Sequence, residues 1–130
     1  MSIKLIRIAI VFGLISIILG AFGAHALKAV LSEQQLTSFE TGVRYQMYQA
    51  LFLLFVATTK YLTDKAKKIT TIILTFGVVF FSGSIYLLAT QDLFGINFKF
   101  LGPITPIGGL LIMLSWFFVA FNVGKQKNNI

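Results

Sequence analysis

His25, Glu40, Arg44, Tyr45, Gln46 and Gln49 are the residues of this chain whose types and spacing could do chemistry. One imidazole, one acid, one guanidinium, a phenol and two amides stand close together in sequence, and together they could hold a headgroup, an ion or a proton. Glu40 and Arg44 lie four apart, in the order that favours an ion pair along a helix. The same groups fit a plainer role, as interhelical hydrogen bonds that fix the register of a bundle. The plainer role is preferred, because polar side chains at interfacial depth are inexpensive.

The elements that must position these groups follow from composition. The chain has 130 residues, 57% of them apolar and only 12% charged, with a mean hydropathy of +0.88. A water-soluble domain of this size cannot hide so much apolar surface. Stretches without Asp, Glu, Lys or Arg run for 20 residues between Arg7 and Lys28, 15 between Arg44 and Lys60, 23 between Lys68 and Asp92, and 25 between Lys99 and Lys125. A membrane-spanning helix needs about 20 apolar residues. Three stretches meet that length, and Arg44 and Lys60 can snorkel to extend the second. The expected fold is an all-α membrane protein: four transmembrane helices in an up-and-down bundle, with an amphipathic lead-in to the second. The single domain covers 1–130, with spans at about 5–27, 43–62, 69–90 and 103–123.

The net charge of +7 does not point to nucleic acid, because the bases sit where membrane topology puts them. Lys4, Arg7, Lys60, Lys65, Lys67, Lys68, Lys125 and Lys127 fall on one side, and Lys28, Arg44 and Lys99 on the other. The positive-inside rule then places both termini and the middle loop in the cytoplasm of a multi-pass protein. "TDKAKK" (Thr63–Lys68) reads first as a topology determinant, and also as an attractor of anionic headgroups. The absence of cysteine excludes disulfides and thiolate metal sites, and one histidine makes no zinc site.

Local signals refine the spans. The segment "GAFGAHALK" (Gly20–Lys28) contains an A-x-A pattern at Ala24–Ala26, but the preceding apolar run is longer than a secretory h-region, so a retained helix is expected. Ser16, Gly20 and Ala24 recur every four residues as a close-packing ridge. Ser32 and Gln35 form a capping box that starts a second helix. Leu36, Phe39, Val43, Met47, Ala50 and Leu54 then follow the helical period, with Glu33, Thr37, Glu40, Arg44 and Tyr48 as a polar stripe on another face. The lead-in either lies in the headgroups or continues into the span, with Gly42 as the point where it could hinge, and near-continuous helix to about Leu62 is the expectation. Ser82 and Ser84 can bond carbonyls of their own helix or a neighbouring helix, with packing between helices the expected role, and Gly83, Gly108 and Gly109 are expected to be packing residues. Pro103 and Pro106 suit the first turn of the last helix, and a frayed tail is expected from Gly124 onward.

"GAFGAH", "TGVRYQMYQALFLL", "FSGSIYLLA" and "GPITPIGGLLIMLSW" occur in that order. Over nearly its whole length the chain resembles the YgdD/YwdK family of small bacterial inner-membrane proteins. The resemblance implies four transmembrane helices and no catalytic assignment. Gln49 stands where the family pattern has a histidine three residues after its Tyr-Gln pair, which speaks against a role that needs two histidines.

No nucleophile elbow, carboxylate pair, phosphate loop or metal motif is present, so no enzyme, cofactor or metal is expected. The expectation is an integral membrane protein of the bacterial inner membrane, acting as a structural or interaction component. Its partners are the lipid bilayer and either a second copy or another membrane protein. The alternative is a small transporter or channel with a polar pocket near the outer face. A wet path through the bundle would favour the alternative, and a dry core tied by polar bonds the first reading.

Overall fold

The computed structural model describes residues 2–125, and these are helical with short connections. Helix α1 is Ser2–His25, α2 is Glu33–Thr58, α3 is Asp64–Val78, α4 is Ser84–Phe94 and α5 is Ile104–Asn122. A π-helical turn, Val79–Gly83, joins α3 to α4. Val78, Val79, Gly83 and Ser84 all keep right-handed helical dihedrals, so α3, the π turn and α4 form one rod. The described residues therefore make four rods. Three segments are long and apolar enough to cross a membrane: Ile3–Ala29, Asp64–Phe94 and Lys99–Asn122. Helix α2, the rod with the polar stripe, is not among them.

The sequence signals for helix ends act as expected. Ser32 accepts from Gln35 N at 3.1 Å while its own N–H reaches Gln35 Oε1 at 2.9 Å, which satisfies two of the free donors at the start of α2. Thr63 caps α3 through Ala66 N at 3.1 Å. Gly95 ends α4 in the left-handed region, at φ 64°, where a Cβ would be strained. Helix α2 stops at Thr58, four residues before the expected Leu62, and runs unbroken through Gly42. That glycine is not a hinge. A Cβ on it would lie 2.8 Å from the Tyr86 ring, so its role is to admit α4.

Consecutive rods are antiparallel. On α1, Gly13 faces Ala50 and Met47, Gly20 faces Val43, and Gly23 faces Phe39. The α1 seam is thus Ala9, Gly13, Ser16, Gly20 and Gly23, with steps that alternate between four and three. The sequence ridge Ser16, Gly20, Ala24 departs from it at the last member, because Ala24 is exposed and Gly23 is buried. Each residue turns about 100° around a helix, so a strict four-residue step drifts by about 40° and leaves the partner. On α2 the buried positions Phe39, Gly42, Gln46, Gln49, Leu53 and Val56 obey the same alternation, and Ala50 and Ala57 are buried beside that line.

Two apolar clusters fill the interior. Ala9, Leu53, Val56, Leu62, Ala66, Leu74, Val78, Ile112 and Val119 form one, toward the end that carries the α2–α3 connection. Leu27, Leu31, Phe39 and Ala89 form the other, toward the end that carries His25. The expected frayed tail falls mostly on 126–130, outside the described residues.

Candidate functional site

Between the two apolar clusters lies a layer of hydrogen bonds that converges on α2. Gln46, only 5% exposed, donates from Nε2 to the carbonyl of Phe12 on α1 at 2.9 Å. Its Oε1 accepts from the Tyr86 hydroxyl on α4 at 2.6 Å. The opposite amide orientation would set two acceptors against each other at Phe12 O, so this one is fixed chemically. Gln49, 4% exposed, accepts from the indole N–H of Trp116 on α5 at 2.8 Å. The Trp116 ring also stacks on Phe52 at 3.9 Å with an interplanar angle of 8°.

Backbone carbonyls of α2 take part as well. Ser16 Oγ on α1 donates to Val43 O at 2.8 Å. Ser82 Oγ, inside the π turn, donates to Gly42 O at 2.8 Å. Each of the other three rods is therefore bonded to α2, and the partners lie about midway along their helices. Away from α2, the hydroxyls of Ser84 and Thr105 meet at 2.5 Å and join α4 to α5. No buried side-chain polar atom among the described residues lacks a partner, which is the condition for burying polar groups cheaply.

The structure divides the six residues singled out from the sequence. Gln46 and Gln49 are inside, but in two separate junctions and at mid-bundle rather than at one end. Tyr45 is exposed at 42%, and its ring packs against Tyr48 and Phe81 at 5.4 and 5.3 Å. His25, Glu40 and Arg44 are exposed. His25 makes no hydrogen bond to α2, contrary to the expectation from its place at the end of α1. The Glu40–Arg44 ion pair does not form either, and Arg44 instead donates to Thr41 Oγ1 at 3.2 Å. An exposed pair of this kind gains little for ordering two long side chains. The six do not line a common pocket.

The packing glycines also divide. Gly108 sits against the π turn so closely that a Cβ would overlap the backbone at Phe81 and lie 2.7 Å from the carbonyl carbon of Phe80. Gly109 meets the Phe81 ring at an ordinary 3.5 Å, and Gly83 faces open space. Gly77 completes the crossing: a Cβ there would come within 3.0 Å of Ile112. Sequence reasoning missed Gly77 because it stands four places before the "FSGS" motif, and missed the π turn because nothing local marks it. Inserting a π turn rotates the following residues relative to a regular helix. Here it presents Ser82 to α2 and Ser84 to α5 at once.

Lys67 departs most from its sequence reading. It belongs to the basic loop segment, yet it is 7% exposed, and its Nζ donates to Ala57 O at 3.0 Å. Ala57 is in the last turn of α2, where carbonyls lack helical partners and the dipole is negative. An ammonium there satisfies both needs.

The chain is similar to known membrane proteins. A family model described as "Protein of unknown function (DUF423)" matches residues 19–109. A UPF0382 membrane protein of Staphylococcus haemolyticus is 40% identical over 82% of this chain and 83% of its own. The UPF0382 membrane protein YwdK of Bacillus subtilis is 38% identical over 82% and 84% of the two chains. The UPF0382 inner membrane protein YgdD of Escherichia coli is 31% identical over 83% and 79%. No solved structure matches.

Proposed function

The chain belongs to the DUF423 family of membrane proteins, and on that premise we propose that it is a multi-pass protein of the bacterial inner membrane in which α2 is the fourth span. Its work is that of a structural or interaction component, not of an enzyme. The observation that carries this reading is the hydrogen-bond layer on α2. Polar groups at membrane depth need protein partners. Helix α2 carries too many to stand alone in lipid, but Gln46 and Gln49 and the carbonyls of Gly42 and Val43 are met by three apolar neighbours. The excess of Lys and Arg at the termini and the middle loop supports cytoplasmic placement of both.

A transporter would need polar groups free to exchange ligands. Those of the interior layer are spent on one another, which favours a tied bundle over a solute path. Lipid surrounds the rods, and the remaining partner is a second copy or another membrane protein. Cross-linking in native membranes at native abundance is expected to give a defined homo-oligomer or a single heteromeric complex. Recovery of monomer alone would contradict the interaction role, and solute flux through liposomes carrying the purified protein would favour the transporter.

A further inference from the structure

At the end of the bundle that carries Lys67, the N-terminal turns of α1 and α3 enclose a cavity of about 410 Å³. Leu5, Ile8 and Ile72 supply apolar wall, and Lys4, Lys67 and Lys68 supply charge. The volume lies within the range of small-molecule sites. Asp64 also lines it, so the local balance is three cations to one anion. Lys67 spends one of its three N–H donors on Ala57 O and keeps two. The positive pole of α3, whose first turn starts at Asp64, faces the same end and adds to the potential. From this combination we infer that the cavity between α1 and α3 is a binding site for one anionic phospholipid, its phosphate held by Lys4, Lys67 and Lys68 and its acyl chain laid against Leu5, Ile8 and Ile72.

The occupant follows from the pairing of surfaces. A free phosphate would use the lysines and leave the apolar wall wet, while a zwitterionic lipid would use the wall and set its own cation beside the lysines. An anionic phospholipid satisfies both surfaces. The site also has a structural consequence, because Lys67 closes the C-terminus of α2, so a phosphate on this lysine couples lipid occupancy to the end of that helix. The inference rests on the protein lying in a membrane and not on α2 being a span or on any partner protein.

The test is native mass spectrometry of the full chain in neutral detergent, titrated with dioleoyl phosphatidylglycerol or dioleoyl phosphatidylcholine. Phosphatidylglycerol is expected to be retained preferentially as a single copy. Lys4→Gln and Lys68→Gln should each weaken its retention about 5-fold, the contribution typical of one basic residue at an anionic lipid surface. Lys65→Gln removes the same charge from the same segment but does not line the cavity, and it should leave retention unchanged. Ile72→Trp fills the wall and should lower retention with every lysine in place. Unchanged Trp116 fluorescence confirms that each lysine variant is folded, and an unchanged helical circular dichroism spectrum does so for Ile72→Trp. Equal retention of the two lipids, an equal effect of Lys65→Gln and Lys68→Gln, or displacement of the lipid by equimolar glycerol 3-phosphate would each overturn the proposal.

Discussion

Tyr86 on α4 donates its hydroxyl to Gln46 on α2 at 2.6 Å, and the same glutamine donates onward to the backbone of α1. One amide therefore joins three rods. Interhelical hydrogen bonds in membranes average about 0.6 kcal/mol and reach about 1.7. Gln46→Leu removes two such bonds and leaves the Tyr86 hydroxyl without its partner. It is expected to destabilise the bundle by about 1–3 kcal/mol in reversible detergent unfolding. A cycle with Tyr86→Phe should give a coupling of about 0.6–1.7 kcal/mol, and zero coupling would mean that the contact does not hold the rods together.

Gly108 and Gly83 are both motif glycines with opposite expected behaviour. A Cβ on Gly108 would collide with the backbone of the π turn, while one on Gly83 meets nothing within 4 Å. Gly108→Ala must separate α5 from the rod it crosses and is expected to cost about 2 kcal/mol or more. Gly83→Ala gains helix propensity, up to about 1 kcal/mol. Melting temperatures of the two variants decide the matter, and equal losses would contradict the assigned crossing.

Trp116 is the only tryptophan in the chain, so its emission reads the Gln49 junction alone. Gln49→Leu removes the acceptor of the indole N–H and should shift the emission to the blue. Gln46→Leu, whose partners are Phe12 and Tyr86, should leave it unchanged. A shift of equal size in both variants would show that the two junctions are one network.

Much of this arrangement is legible in the sequence. The uncharged stretches locate the rods, the Ser32–Gln35 box starts α2, and the family motifs contain Gln46, Ser82, Gly108 and Trp116. What the sequence does not show is which polar residues face inward. His25 and Arg44 carry the most conspicuous chemistry and are exposed, whereas Gln46 and Gln49 carry no charge and hold the interior. Titratable groups are costly to bury, and hydrogen-bonded neutral amides are not: Gln46 is met at both ends and Gln49 at its oxygen. Counting in fours puts Ala24 on the seam, but two packed helices keep contact by alternating three and four. Lys67 belongs to the basic run of a loop, and its burial depends on the tertiary position of the α2 C-terminus. The π turn is likewise set by the approach of Gly108 and has no local signature.

In the proposed topology α2 crosses the membrane as a polar helix wrapped by three apolar ones. The chain contains no cysteine, so single cysteines in place of the exposed Lys28, Lys65 and Lys99 can be probed in intact cells with a membrane-impermeant maleimide. If α2 is a span, Lys28→Cys and Lys99→Cys should label together from outside, and Lys65→Cys only after permeabilisation. Labelling of positions 28 and 65 from the same side would place both ends of α2 on one face of the membrane and contradict a spanning α2.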